Sequence, residues 1–441
     1  MKVSYIKLLC FNTLISFLVY LFMFVLFPEI SNYFNCNVLI KTKDTIFNIY
    51  YSIPVSCDLE TYMVGIKNFS SIIEFDYAYQ TRPVYILYIK GLYAILNAII
   101  ENELILNFLS FFLGHLLIVT LSVFIFLKTI EYLITKDNFK LVYLIAVLFI
   151  LNPIIKFGLF DPSHQTLILL QFSISFYFLR KKVINDLHIY LYTFLIGVAS
   201  LANTTMLLTV FFLLFHKYKK FKFLLNDFKK LLLIAIVLIA PNILWNLYIY
   251  SQGYTPYNSS VQYWYQFVWI YGYFFNGFEY INFDYNFDEY YCMSIPLFLK
   301  CYISDFFKAL LYLSLPIFVS VINFIILRKN SDKLVAGFSK DLLLIFTLLF
   351  SFWAFIGWYP PLRFNLYSLG FLVTFLISIQ IIFLPRKDIV IPEAAAVLIY
   401  LIYLNHWNYL GILILNYGLI ISILIFLIFV IYISIKKIKL K

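Results

Sequence analysis

Apolar runs of roughly 20 residues recur along this chain, separated by short stretches in which Lys and Arg collect. Runs of that length match the hydrocarbon thickness of a bilayer and read as transmembrane helices. The pattern predicts spans over 8–27, 104–127, 141–156, 164–179, 189–202, 204–215, 231–250, 306–327, 341–358, 364–384, 389–404 and 412–435. A transmembrane barrel would show shorter, alternating segments, and these are absent. The fold class that follows is all-α: a polytopic helical membrane protein of about 12 spans, forming one domain over 1–441 with no soluble tail.

The polar connectors test this map. With a cytoplasmic N-terminus, the connectors 128–140, Arg180-Lys181-Lys182, 216–230, 328–340, Arg386-Lys387 and the tail from Lys436 to Lys441 all fall on the cytoplasmic side. All of the 33 Lys and Arg lie there or at the N-terminus except Lys41, Lys43, Lys67, Arg82, Lys90, Lys156, Lys300, Lys308 and Arg363. That asymmetry is the positive-inside signature. Residues 83–100 look like a further span but carry Lys90 at the middle. A charge at the bilayer centre costs about 2.5–3.5 kcal/mol, and an extra span would reverse the later connectors. The segment is therefore expected to be an amphipathic helix on the outer surface, with Lys90 reaching water. By the same parity, 189–215 is expected to be two short helices that turn near Ala202-Asn203-Thr204.

Composition agrees with this picture. The 441 residues are 63% hydrophobic and 12% charged. The net charge of +11 sits in connectors, where membrane orientation explains it, and no basic patch stands on a soluble domain. Nucleic acid is accordingly not expected as a partner. Lys2 and Lys7 precede the apolar stretch from Leu8 to Phe27, which is too long for the apolar core of a typical signal peptide, is followed by no small-residue cleavage site and reads as a retained span.

Two large loops remain on the outside, 28–103 and 251–305. The first holds Asp58, Glu60, Glu74 and Asp76, followed by Arg82-Pro83-Val84-Tyr85. A solvated acidic loop accounts for any single carboxylate here, and so does a charge at a helix N-terminus. The second loop contains twenty aromatic residues, among them Tyr263, Trp264 and Trp269, and reads as interfacial helices. Short outer turns carry Asp161-Pro162-Ser163-His164, and Arg363 after Trp358-Tyr359-Pro360-Pro361. Ser163 suits a helix N-cap, and Arg363 could also snorkel to lipid headgroups. His115 lies within a span and reads as a packed, hydrogen-bonded residue. Cys36, Cys57, Cys292 and Cys301 all fall outside, where disulfides can form; four cysteines allow three pairings, Cys36–Cys57 being the local one, and free buried thiols are the alternative. No Walker loop, dinucleotide fingerprint, zinc spacing or Ser-His-Asp pattern is present.

Asp58 with Tyr62 four residues on, then Arg82-Pro83-Val84-Tyr85 leading an apolar helix, resembles the first outer loop of GT-C superfamily glycosyltransferases. These include protein O-mannosyltransferases and bacterial aminoarabinose and lipopolysaccharide sugar transferases. Pro241-Asn242 to Tyr248, followed by Gly253, is similar to the family's P…W-N…G stretch. The sequence departs from the pattern in three places. Leu59 stands where an acidic residue often follows the first Asp, Val84 replaces a second Pro, and no Arg occurs in 201–205. The resemblance implies surface helices in the first outer loop and transfer of a sugar from a polyprenyl-phosphate-linked donor. The acceptor would be a glycan, lipid or protein at the outer face of a multi-pass bacterial plasma-membrane protein with both termini cytoplasmic. Such transfer needs a base for the acceptor hydroxyl and cations near the departing phosphate, all at membrane-surface height. Asp58 is the candidate base and Glu60 a second candidate. Asp161 would assist the base or hold a divalent cation, the metal requirement itself being open. His164 would contact donor or acceptor, and Arg82 and Arg363 would hold phosphate. Two other classes stay in view. A membrane glycan polymerase or ligase would rely on basic residues and His of late loops. A transporter or flippase would place ionisable residues at mid-membrane.

Overall fold

A computed structural model describes residues 3–21, 38–43, 50–55, 59–74, 78–134, 139–160, 164, 166–181, 185–215, 225–257, 303, 306–307, 309–310, 313–330, 333–356 and 361–383; for 38–43, 50–55, 78, 153–154, 156–157, 186, 225–227, 326, 328–330, 333–335, 353–356 and 361–367 only the backbone is described. The described chain is predominantly helical. Two of its helices are long and apolar enough to cross a membrane: Glu103–Thr129, with mean hydropathy 2.3, and Phe228–Ser251, with mean hydropathy 2.1. The chain divides into two compact units, one of residues 1–139 and 155–257, the other of 140–154 and 258–441.

In the first unit α1 (Tyr5–Tyr20) packs on α4 (Glu103–Thr129). Asn12 Nδ2 donates 3.0 Å to Thr120 Oγ1 between them, and the Tyr5 ring meets Phe124 edge-on. Both ends of α4 follow helix-terminus rules. The Asn102 side chain accepts from the Ile105 N–H, Glu103 occupies the first turn and Lys128 the last. These place an acceptor and negative charge at the positive end and a cation at the negative end. Helix α3 (Pro83–Asn97) lies against α4, and α2 (Leu59–Lys67) packs on α3. Gly114 permits the α3–α4 approach, because a Cβ there would come within 2.6 Å of Ile89 Cδ1. Helix α7 (Thr166–Arg180) makes the most extensive contact with α4.

The expected break in 189–215 is present. Helix α8 (Asp186–Ser200) is capped by Asn185, and Asn203 caps a 3-10 turn, Thr204–Leu208, that leads into α9 (Thr209–Phe215). Helix α10 (Leu225–Ser251) crosses α8 at Gly197, where a Cβ would collide with the Leu238 carbonyl oxygen. Only 17% of the apolar window of α10 is buried, against 56% of that of α4. Helix α4 is thus a core element of its unit, whereas Leu232, Ile236, Ile239, Ile243 and Leu247 of α10 face outward.

In the second unit α5 (Leu141–Leu151) meets α13 (Pro361–Phe383), and α11 (Ser314–Asn330) and α12 (Lys333–Ile356) pack on the same helix. Asn152 Nδ2 donates to Thr374 Oγ1 at 2.9 Å and to the Gly370 carbonyl at 3.2 Å, and Phe149 meets Phe375 edge-on.

Two features differ from the sequence expectation. The run 141–156 breaks at Asn152, and α6 (Pro153–Phe160) starts anew with Pro153 as its first residue. Proline disfavours helical backbone in the residue before it, and Asn152 accordingly has ψ 128°. The first long loop also contains an antiparallel hairpin, β1 (Val38–Lys43) and β2 (Tyr50–Val55), registered Val38 to Val55 and Lys43 to Tyr50. Its β-branched and aromatic residues suit strands. The helical class therefore carries a small sheet.

Candidate functional site

Helix α2 is amphipathic. Tyr62, Met63 and Ile66 are buried on one face and Glu60 is exposed on the other. Buried with them are Tyr85, Ile86 and Ile89 of α3, Phe111 and Ile118 of α4, Leu167 of α7 and Ala202 of the α8–α9 turn. This apolar core sets the polar groups at its edge. Tyr62 is 1% exposed, so its hydroxyl needs partners. Arg82 Nη1 donates to the Tyr62 oxygen at 3.1 Å, and that oxygen lies 3.2 Å from His164 Nδ1. With the Arg82 bond filling an acceptor site, a neutral His164 protonated on Nε2 would receive the phenol proton; the other tautomer would donate into the oxygen.

Three stretches far apart in sequence thus meet at one phenol. Arg82 is the residue before α3, whose first position is Pro83, favourable there because that N–H has no helical partner. His164 lies at the entry to α7, where its carbonyl accepts from Leu167 N–H. The Val84 N–H bonds the Leu201 carbonyl and brings the α8–α9 turn to the start of α3.

Aromatic rings frame the cluster. Tyr79 and Tyr85 approach Tyr62 edge-on at 4.7 and 5.4 Å, and the Arg82 guanidinium sits 5.5 Å above the Tyr79 ring. The Tyr85 hydroxyl lies 2.8 Å from His115 Nε2, and the two rings stack. His115 is fully buried, as expected for a packed, hydrogen-bonded residue. Gln80 fastens the edge: its side chain donates to the Ile73 carbonyl and accepts from the Tyr257 N–H, while its carbonyl accepts from Trp245 Nε1 at 2.8 Å. The Trp245 and Asn242 stretch is therefore tied to the same region, Asn242 Nδ2 donating 2.8 Å to Ser200 Oγ. Beyond the cluster, Lys67 pairs with Glu103, and that hydrogen bond raises the Lys67 pKa.

Of the residues singled out in the sequence, Arg82 and His164 are joined through Tyr62. Glu60 is exposed on the face of α2 away from Tyr62. Asp58, Asp161, Asp76 and the outer cysteines Cys36, Cys57, Cys292 and Cys301 lie outside the described residues, and so do 258–302 of the aromatic loop and the segments after 383. Arg363 is in the first turn of α13, with its side chain outside the description. Among the described residues no three His, Cys, Asp or Glu side chains gather as a metal site. The sequence does not by itself mark Tyr62 and Tyr85 as the residues on which Arg82, His164 and His115 converge. A partial signal lies in Tyr62, Met63 and Ile66, which share a face at helical spacing, and in a Tyr at the end of each motif. The chain matches no protein-family model, no curated protein and no solved structure.

Proposed function

We propose that this chain is an integral membrane glycosyltransferase of GT-C type, moving a sugar from a polyprenyl-phosphate carrier to a glycan, lipid or protein acceptor at the outer face of a bacterial plasma membrane. The observation that carries the reading is the meeting of Arg82 and His164 at the Tyr62 hydroxyl. Residues from both elements of the first loop and from the turn before α7, the three places the resemblance marks for chemistry, occupy one cluster. Membrane embedding is supported by the two long apolar helices and by the outward aliphatic face of α10, which would be an aggregation surface in water.

In this reading the acceptor hydroxyl oxygen attacks the anomeric carbon. The bond from that carbon to the phosphate oxygen breaks, and its electron pair leaves with the polyprenyl phosphate. Asp58, the residue before α2, takes the hydroxyl proton, with Glu60 as the second carboxylate and Asp161 assisting or holding a divalent cation. Attack opposite the phosphate inverts the anomeric centre. Arg82 holds the phosphate, since a planar guanidinium suits bidentate recognition of its oxygens, and Tyr62 fixes the direction of that guanidinium. His164 contacts donor or acceptor, and Arg363 supplies a second cation. Asp58→Asn keeps the shape and removes the base, so transfer should fall about 10²–10⁴-fold while donor binding survives. Radiolabelled transfer by the purified protein checks this, and an Asp58→Asn protein with full activity would refute it.

A further inference from the structure

The helices that carry the motif cluster also enclose a cavity at their opposite ends. Along α4, Phe124 and Lys128 lie more than two turns beyond His115; along α7, Tyr177 and Phe178 lie at the far end from His164. The cavity has a volume of about 290 Å³ and is walled by these residues with Tyr192, Leu195 and Ala199 of α8 and Met206 of the following turn. Leu195 is half exposed, so the cavity opens beside it. The walls are apolar apart from Lys128, Thr209 and the two tyrosine hydroxyls. From Tyr192 to Ala199 the cavity follows α8 for about 10 Å at 1.5 Å per residue, a slot rather than a sphere.

Two cations stand at its rim. Lys128 gives both its 2.9 Å bonds to the two oxygens of Glu131, so its charge is compensated. Lys181 is held differently. Its ammonium lies 5.2 Å from the Tyr177 ring centroid and 5.4 Å from that of Tyr192, and it donates 3.3 Å to the Tyr192 hydroxyl. Both rings are cavity walls, and both are neutral phenols. An apolar slot that ends at a cation supported by neutral groups is complementary to an amphiphile with an anionic head.

We propose that this cavity holds an acyl chain of an anionic phospholipid from the surrounding membrane, with the headgroup phosphate against Lys181. The hydrogen bond that the ammonium gives to Tyr177, then that to Tyr192, raises the Lys181 pKa. An empty apolar cavity leaves its walls without contact partners, and an acyl chain supplies them. Basic groups between helices at the cytoplasmic side are a recurrent ligand for anionic heads, and Arg180 and Lys181 belong to a basic connector. The site rests on the membrane placement of these helices and not on the transferase chemistry.

Native mass spectrometry of the full chain in neutral detergent, titrated with phosphatidylglycerol or with phosphatidylcholine of the same acyl chains, tests the site. One phosphatidylglycerol should be retained about fivefold more tightly than phosphatidylcholine, the worth of one lysine near an anionic head. Lys181→Gln should remove that preference, and Ala199→Phe should displace both lipids by filling the slot. Leu195→Trp offers a second readout that does not rely on a filled cavity: phosphatidylglycerol with brominated chains should quench its fluorescence beyond the quenching of the unaltered protein. Equal retention of the two lipids, a preference unchanged in Lys181→Gln, or no added quenching at position 195 would overturn the proposal. A protein with transferase activity and no lipid preference would remove this site alone. A protein with lipid preference and no activity would remove the transferase reading alone.

Discussion

At the residue scale the account turns on Tyr62. One phenol oxygen accepts from Arg82 and bonds His164, two residues from different motifs. Tyr62→Phe keeps the ring contacts with Tyr79, Tyr85 and Phe111 and removes both bonds. The change should cost about 1–3 kcal/mol, because two polar groups lose a buried partner, and denaturant unfolding would measure it. Tyr62→Ala should cost more, about 3–5 kcal/mol, by adding a cavity. Transfer activity should fall in Tyr62→Phe even where the fold is retained, since the Arg82 guanidinium loses the group that aims it. The individual motifs were legible in the sequence, as spaced Asp, Tyr, Arg, Pro and His residues. Their meeting was not, because Tyr62 and His164 are 102 residues apart and no local period encodes a contact of that range.

At the element scale the helices were legible and their ends less so. The apolar runs specified α4, α7 and α10, since apolar residues recurring along a whole helix leave a long signal, and the parity of the basic connectors called for the split of α8 from α9. The break at Asn152-Pro153 was written in the dipeptide itself and was masked by the apolar residues on both sides. The hairpin of β1 and β2 was missed because short strands in a loop carry only a few period-2 positions. Contacts between helices yield two predictions. Gly197→Leu places a side chain against the Leu238 carbonyl, so α8 and α10 must separate; a loss of about 1–3 kcal/mol is expected for such overpacking, read by thermal melting of the purified protein. At the end of α4, Lys128 and the Val3 N–H both donate to Glu131. The bond from Lys128, foremost, holds the Glu131 carboxyl below its ordinary pKa. A lowered folded-state pKa stabilises above the unfolded value and loses that contribution as pH falls through the folded one. Acidification below the usual carboxylate range should therefore remove up to about 1 kcal/mol, the worth of such a partly exposed pair. Glu131→Gln should lack this part of the acid sensitivity in melting curves taken across the same pH range.

At the scale of the whole molecule, the sequence pattern supplied the helical class, and the described helices agree with it. The orientation and number of the spans rest on the distribution of Lys and Arg. Cysteine labelling at positions 95 and 136 checks that arrangement: position 95 should react from outside the cell and position 136 only after permeabilisation. The site is the part least legible from sequence alone, because Tyr62, Arg82 and His164 come from separate segments whose approach depends on packing. The most direct test of the central claim is mass spectrometry of the lipids of cells whose only copy of this chain carries Asp58→Asn. A glycosyltransferase without its base leaves its donor unused, so a polyprenyl-phosphate-linked sugar should accumulate there and disappear when the unaltered chain is restored. A lipid profile identical in both strains, with the cell-surface glycans unchanged, would contradict the account.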